Sequence, residues 1–187
     1  VTNNKYLADQ IELLRNHGIT RNKSLMSVEA DGQWYYQQIE LGYNYRMTDI
    51  QAALGSSQLK RLDQFILRRH EIAKLYDEQF VDLPLKFQQT TPEKYSGMHL
   101  YVLRLMKGKM KKSRQKVFDE LRENGIGVNV HYIPVHLQPF YRQFGFQEGD
   151  FSEAESYYKE AISLPIYPDL ADEEINSIIN TVRKCVG

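Results

Sequence analysis

The sequence predicts an α/β fold, in which a long connecting helix leads into a small carboxyl-terminal domain. Two observations support this prediction. Apolar residues recur at helical spacing over about 33 residues from Thr48 to Phe80, a run that would extend roughly 50 Å as one helix. Beyond that run, segments rich in β-branched and aromatic residues alternate with helical segments, as in domains where helices cover a sheet.

The amino-terminal elements are a helix and an irregular aromatic segment. Asn4 is a favourable N-cap, the apolar residues after it repeat every three or four positions, and Gly18 can adopt the left-handed conformation that ends a helix. No period persists from 19 to 47, although a tryptophan and several tyrosines are clustered there. A structureless stretch of that length is uncommon unless it has a function.

The long helix begins at a capping-box pattern, with Thr48 at its start and Gln51 three residues later. Gly55 and the two serines after it are the place where we expect the helix to bend. The elements predicted after it are a strand at 99–105, a helix capped by Ser113 and closed by Gly125, a strand at 126–132, a helix from the capping box 152–155 through Ala161, and a last helix with apolar residues at 175, 178, 179 and 182.

The composition is typical of a globular protein of the cytoplasm. Lys and Arg together number 24, and so do Asp and Glu, so no excess charge indicates a nucleic acid or an acidic membrane surface as partner. No apolar stretch is long enough for a membrane span. The single cysteine, Cys185, cannot form an internal disulfide and suits a reducing compartment. We predict that it is a neutral thiol at the surface.

The segment from Gly42 to Gly55 brings two polar side chains to the start of the long helix. Asn44 and Arg46 stand in an irregular, aromatic stretch directly before it. Helix amino termini favour anions, and an amide with a guanidinium suits a phosphate or a carboxylate. An equally good interpretation of the residues alone is that Asn44 completes a turn and Arg46 pairs with a carboxylate.

A second candidate site is the segment 131–141, which combines two histidines, two prolines and two tyrosines after a predicted strand. Prolines fix the backbone, so the polar groups are held in place. The alternation puts His131 on the polar strand face and Tyr132 on the apolar one. We predict a hydrogen-bonding site for a hydroxylated ligand, with packing of the loop as the alternative. A metal site is disfavoured because no third ligand lies at a suitable spacing.

Three segments resemble, in the same order, motifs of the DegT/DnrJ/EryC1/StrS family of sugar aminotransferases. They are LRNHGIT at 14–20, GYNYRMTDIQAALG at 42–55 and HYIPVH at 131–136. The likeness extends over essentially the whole chain, and three motifs in series are far more specific than one. The segment GVNVHYIP at 127–134 most resembles the branch of the family that makes UDP-4-amino-4,6-dideoxy-N-acetyl-β-L-altrosamine in the pseudaminic acid pathway.

The resemblance implies a fold type I enzyme that uses pyridoxal 5'-phosphate and works as a homodimer with shared active sites. Asn44 would then reach across the dimer to the cofactor phosphate, with Arg46 as a further candidate that could instead be structural. His131, Tyr132 and His136 become candidate contacts to a nucleotide sugar. The implied reaction moves an amino group, expected to come from L-glutamate, to C4 of a UDP-4-keto-6-deoxy sugar.

The same resemblance implies that 1–55 ends the large, cofactor-binding domain, that 56–82 is the connecting helix and that 83–187 is the small domain. The Schiff-base lysine of the family is expected upstream of Val1, so the chain alone is expected to be inactive because transamination needs that amine. One alternative is a catalytically dead partner, or a dimerisation or sugar-binding module, of the same fold. Another is the same chemistry on a different sugar, with a perosamine-like or 3-amino product.

Overall fold

In a computed structural model of the protein, the structure describes residues 2–89, 91 and 93–187. The chain forms two compact units, of which the first ends at Lys60 and the second comprises Arg61–Gly187. The α/β class is confirmed, because the second unit packs helices and a three-stranded sheet around one core. The finer division at 55/56 and 82/83 stays a prediction.

The first unit begins with helix α1, Lys5–Leu14. Its predicted cap is confirmed, because Asn4 Oδ1 accepts a hydrogen bond from the backbone N–H of Leu7 at 3.2 Å. Gly18 follows the helix with φ of +69°, the left-handed conformation that glycine adopts at little cost. The segment after it is largely irregular, as predicted. It contains strand β1, Ile19–Thr20, which pairs antiparallel with strand β2, Gln37–Gln38, and a short 3-10 turn at Lys23–Leu25.

The long helix predicted between Thr48 and Phe80 is interrupted, so the prediction of one continuous helix was wrong. The chain forms α2, Asp49–Leu59, and α3, Leu62–Phe80. Arg61 lies between them with φ −105° and ψ 0°, values outside the helical region that end the ladder of hydrogen bonds. Gly55 and the two serines after it, where the bend was expected, lie inside α2, and nothing in the local sequence accounts for the position of the break.

The predicted capping box at the start of α2 is confirmed. Thr48 Oγ1 accepts from the backbone N–H of Gln51 at 3.3 Å, and Gln51 Oε1 accepts from the backbone N–H of Thr48 at 3.0 Å. These reciprocal bonds satisfy two backbone donors that a helix start otherwise leaves unpaired. The sequence therefore fixes where the irregular segment ends and the helix begins.

The second unit contains a three-stranded antiparallel sheet in the order β3-β4-β5. Its strands are β3, Leu85–Lys86, β4, Tyr101–Leu105, and β5, Ala161–Leu164. Tyr101 lies opposite Leu164 in the register of β4 and β5. The predicted strand at 99–105 is confirmed, whereas β5 was predicted as the end of a helix. All four residues of β5 are buried, so their apolar character does not show the alternation that identifies a strand.

Four longer helices of this unit are α3, α4 at Arg114–Glu123, α6 at Ser152–Glu160 and α7 at Asp172–Val186, and a single turn, α5, spans Pro139–Arg142. Ser113 caps α4 through a hydrogen bond from Lys116 N–H at 3.2 Å, and Gly125 has φ of +81°, as predicted. The predicted capping box at 152–155 was wrong, because the N-cap is Phe151 and no side chain caps α6.

One hydrophobic core lies between the sheet and the helices of the second unit. The largest fully buried side chains are Tyr76, Phe80, Ile72, Leu103, Leu121, Ile162, Ile175, Val117 and Val182. Burial of one such side chain contributes about 1.5–3 kcal/mol. The predicted apolar face of α7 is confirmed, since Ile175, Ile178, Ile179 and Val182 are all buried. Cys185 is buried too, so its predicted place at the surface was wrong.

The strand predicted at 126–132 does not form. Asn129 makes one bridge to Ser163, with Ser163 N–H donating to the Asn129 carbonyl at 2.8 Å and the reverse bond at 3.2 Å. The N–H of Val130 then bonds to Oδ1 of Asn129 at 2.8 Å, and such local side-chain acceptors compete with a strand ladder. The expected apolar face ends there, and Tyr132 is 69% exposed.

Candidate functional site

Residues 43–45 are held against the end of α1 by backbone hydrogen bonds. Tyr43 donates to the carbonyl of Leu14 at 2.7 Å and accepts from His17 at 2.9 Å, while Tyr45 donates to the carbonyl of Arg15 at 3.0 Å. The rings of Tyr43 and Tyr45 stack with centroids 4.9 Å apart. Asn44, between them, is thus fixed in position although its side chain is exposed.

Two glycines permit this close approach. A Cβ on Gly42 would overlap the backbone of Gly18 and the carbonyl oxygen of Leu14, and a Cβ on Gly18 would overlap the carbonyl of Glu40. No rotamer change relieves such an overlap, because the neighbouring atoms are backbone. The path of the chain into Asn44 therefore requires glycine at both positions.

Asn44 and Arg46 are joined by a hydrogen bond from Arg46 Nε to Asn44 Oδ1 at 3.3 Å. Among the described residues, neither the amide nitrogen of Asn44 nor the terminal guanidinium nitrogens of Arg46 has another hydrogen-bond or ion-pair partner. The pair precedes the amino terminus of α2, where the helix dipole favours anions. An amide and a guanidinium with free donors fit a phosphate group in their chemistry.

The loop from 131 to 136 lies in the second unit. A hydrogen bond of 2.8 Å joins His131 Nδ1 to Ser163 Oγ on β5. The ring of the exposed Tyr132 stands edge-on to that of the half-buried His131, with centroids 4.6 Å apart. A phenol hydroxyl both donates and accepts hydrogen bonds, and Nε2 of His131, which has no partner among the described residues, donates or accepts according to the tautomer of the ring. A site for a hydroxylated molecule at this pair stays a prediction.

His136 is placed differently from its two neighbours in the motif. Its side chain is buried, its Nε2 lies 2.9 Å from Oε1 of Glu155, and its ring contacts Phe151 with centroids 4.7 Å apart. The structure therefore brings His131 and Tyr132 together at the surface and encloses His136. Its role as a substrate contact stays a prediction.

Glu155 is the polar residue of this region that the sequence pattern misassigned. Its Oε1 accepts hydrogen bonds from His136 and from the backbone N–H of Gly149, the second at 2.8 Å. These two bonds hold the pKa of the Glu155 carboxyl below its usual value. The sequence signal was the S-x-x-E spacing, which suggested a cap for the helix, and nothing local marked the distant histidine as the partner.

The described ranges 2–89, 91 and 93–187 contain neither a metal-ligating cluster nor a membrane-spanning helix. No group of three or more His, Cys, Asp or Glu side chains there could hold a metal ion. No helix in the same ranges has the length and apolar character needed to cross a membrane.

Comparison with known proteins gives consistent matches. Residues 1–183 match the model of the DegT/DnrJ/EryC1/StrS aminotransferase family. The uncharacterized protein MJ1066 of Methanocaldococcus jannaschii is 43% identical over 188 residues, which are 100% of this chain and 48% of that protein. The UDP-4-amino-4,6-dideoxy-N-acetyl-beta-L-altrosamine transaminase of Campylobacter jejuni is 33% identical over 98% of this chain and 48% of its own length.

A solved structure agrees with these matches. Spr1654 of Streptococcus pneumoniae, in its PMP form, matches with a TM-score of 0.85 at 30% identity, over 98% of this chain and 44% of that one. The chain thus spans about half the length of the curated relatives it matches.

Proposed function

Because the chain belongs to the DegT/DnrJ/EryC1/StrS aminotransferase family, we propose that it forms the carboxyl-terminal part of a pyridoxal-phosphate-dependent nucleotide-sugar aminotransferase. The family match over residues 1–183 is the observation that carries this proposal. The exposed donors of Asn44 and Arg46 and the surface pair of His131 and Tyr132 support it, because they suit the two kinds of ligand that such an enzyme needs.

Asn44 and Arg46 are the residues that we propose for the cofactor phosphate. Bound pyridoxal phosphate supplies the carbonyl carbon that carries the amino group from one substrate to the other. The bond between Arg46 Nε and Asn44 Oδ1 leaves the amide nitrogen of Asn44 available to donate to a phosphate oxygen. The guanidinium adds a positive charge, which makes its hydrogen bonds to an anion stronger than neutral ones.

The proposed substrate is a UDP-linked 4-keto-6-deoxy sugar, with L-glutamate as amino donor. The product named for the Campylobacter jejuni relative carries an amino group at C4 of a 4,6-dideoxy sugar, which requires a carbonyl at that carbon before transfer. We propose that His131 and Tyr132 hydrogen-bond the sugar and orient it. The hydrogen bond to Ser163 holds the ring of His131 in place, so this side chain loses little conformational freedom when it binds the sugar.

A homodimer with shared active sites completes the proposal. The first unit exposes large apolar side chains, among them Leu41 at 86% and Ile50 at 83%, and clusters of this kind are typical of surfaces that another polypeptide covers. As part of the same proposal we place the protein in the cytoplasm, since the one cysteine of these 187 residues, Cys185, cannot form a disulfide within them.

The test uses the full-length protein purified with pyridoxal phosphate. We expect an absorbance band of bound cofactor and amino transfer from L-glutamate to a UDP-4-keto-6-deoxy sugar. Asn44→Ala is expected to weaken binding of pyridoxal phosphate about tenfold, as for loss of one charge-assisted hydrogen bond. Asn3→Ala, at another exposed asparagine, is the matched control and is expected to change nothing.

Three results would contradict parts of the proposal. Failure of the full-length protein to bind the cofactor and to transaminate any nucleotide keto-sugar would exclude the function. Binding of a UDP-sugar without amino transfer would favour a sugar-binding module instead. Normal activity with unchanged cofactor affinity in Asn44→Ala would remove only the phosphate role of Asn44.

A further inference from the structure

The loop that carries His131 and Tyr132 is anchored on both sides. On one side His131 Nδ1 bonds to Ser163 Oγ at 2.8 Å. On the other side His136 Nε2 bonds to Glu155 Oε1 at 2.9 Å. Between the anchors Tyr132 is 69% exposed. The position of Tyr132 therefore depends on these two hydrogen bonds of the loop.

The hydrogen bond between His136 and Glu155 is buried, whereas that between His131 and Ser163 is only partly buried. The side chains of His136 and Glu155 are only 7% and 6% exposed. Among the described residues, this bond is the one hydrogen bond that ties residues 133–137 to other parts of the unit, because their backbone bonds are local. A buried hydrogen bond that involves a carboxylate is worth more than an exposed one and costs more to leave unmade.

We infer that Glu155 is a positioning residue for the nucleotide-sugar substrate, because through His136 it holds the loop that presents His131 and Tyr132. This inference rests on the proposed function and adds a buried residue that acts through His136. The same oxygen also bonds to the N–H of Gly149 at 2.8 Å. Glu155 thus fixes two loops to α6 with one atom.

The sharing of one oxygen atom makes a specific prediction about substitutions. A glutamine can place its carbonyl oxygen where Oε1 of Glu155 lies and accept both hydrogen bonds. A leucine of similar size can accept neither. We therefore expect Glu155→Gln to preserve the loop and Glu155→Leu to release it.

The experiment measures substrate binding in the full-length enzyme with bound pyridoxal phosphate. Glu155→Leu is expected to raise KM for the UDP-4-keto-6-deoxy sugar about tenfold, and to raise Kd for the unreactive probe UDP-N-acetylglucosamine by a similar factor. The rate of the half-reaction with L-glutamate, which does not involve the sugar, is expected to stay unchanged. Glu155→Gln is expected to raise either constant by less than about threefold.

Glu160→Leu is the matched control. Glu160 lies on the same helix, is 12% exposed and pairs with Arg104 at 2.8 Å, so its loss removes a partly buried ion pair without touching the loop. It is expected to lower Tm as Glu155→Leu does and to leave the sugar KM unchanged. A sugar KM raised equally in both variants would mean that general damage to α6, and not the loop, sets the affinity.

His136→Leu keeps the test decisive if Glu155→Leu is poorly folded, because it removes the same hydrogen bond from the other partner. Where both variants fold, they also form a double-mutant cycle. His136→Leu alone is expected to raise the sugar Kd as much as Glu155→Leu does. The double variant is expected to raise it no further, because both substitutions remove the same hydrogen bond. Additive effects would show that His136 acts on the substrate by itself and would overturn the inference. Unchanged Kd in Glu155→Leu and in His136→Leu would overturn it also. If wild-type enzyme fails to transaminate, the proposed function fails, while the probe Kd still tests the loop.

Discussion

The two units of the molecule are built in different ways. Among the described residues up to Lys60, only Gly18 and Thr20 are buried, and neither contributes a large apolar side chain. From Arg61 onward, helices and a sheet enclose one core that includes Tyr76 and Phe80, both fully buried. The first unit is ordered by backbone hydrogen bonds and glycines, and the second by burial of apolar surface.

The two units therefore differ in how much apolar burial contributes to their stability. Apolar burial is the dominant favourable term in folding, so the second unit has the means for its own stability. The first unit exposes Tyr45, Met47 and Ile50 by 69% or more, so these side chains contribute little to stability until something covers them. The proposed phosphate contacts lie in the unit that has no core, and the proposed sugar loop lies in the unit that has one.

The largest expected effect tests this contrast directly. In the 187-residue chain, Phe80→Ala is expected to lower the free energy of unfolding by about 3–5 kcal/mol, because it leaves a cavity in the core. Ile50→Ala, in the first unit, is expected to change it by less than about 0.5 kcal/mol. Chemical denaturation followed by far-ultraviolet circular dichroism measures both.

The comparison becomes sharper in the full-length protein. There Ile50→Ala is expected to cost more than in the chain alone, because the proposed homodimer covers exposed apolar surface of the first unit. Equal and large losses for the Ile50 and Phe80 variants in the 187-residue chain would contradict the contrast between the units.

A smaller effect is expected where the backbone of the first unit is packed closely. Gly42→Ala forces a Cβ into the backbone at Gly18, and overpacking of this kind costs about 1–3 kcal/mol. Hydrogen exchange of the Tyr43 and Tyr45 amides is expected to accelerate, because these bonds break when the segment opens.

Gly55→Ala provides the control within the same unit. A Cβ at Gly55 meets nothing within 4 Å and the residue lies inside α2, where alanine is favoured over glycine by about 0.5–1 kcal/mol. It should be neutral or stabilising. Similar acceleration of exchange in both glycine variants would show that the close approach at Gly42 does not hold the segment.

Structural features that depend on interactions between residues close in the chain could be predicted from the sequence. The caps at Asn4, Thr48 and Ser113 were predicted because each depends on residues no more than three positions apart. The apolar face of α7 was predicted from its period. The break between α2 and α3 at Arg61 was not predicted, because the residues beside it favour helix and carry no local stop signal.

In the candidate site, the features that the sequence did not predict also depend on contacts other than regular local patterns. The motif around Asn44 and that around His131 were recognisable as groups of polar residues in irregular segments. The strand expected at Tyr132 failed because the side chain of Asn129 bonds to the next backbone N–H. The role of Glu155 was missed because its partner, His136, lies 19 residues away and a helix-cap pattern offered a local explanation.

The smallest expected effect is a pH dependence that belongs to the second unit. The bonds from His136 and Gly149 lower the pKa of Glu155 in the folded protein from its ordinary value of 4.5. A carboxyl with a lowered folded pKa stabilises the fold fully above the unfolded value, and this stability is lost as the pH falls through 4.5 toward the folded pKa. The stability of wild type should therefore exceed that of Glu155→Gln by a constant amount above about pH 5.5, where an unperturbed Glu is ionised.

Below pH 4.5 the two stability curves should converge, because protonation removes the charge that distinguishes glutamate from glutamine. Urea denaturation at intervals from pH 7 to pH 3 measures the difference. Curves that remain parallel over the whole range would show that folding does not shift this carboxyl, and the paired His136 and Glu155 would then be held by packing against Phe151. Convergence would instead identify the enclosed carboxylate as the acid-sensitive part of the unit that has a core of its own.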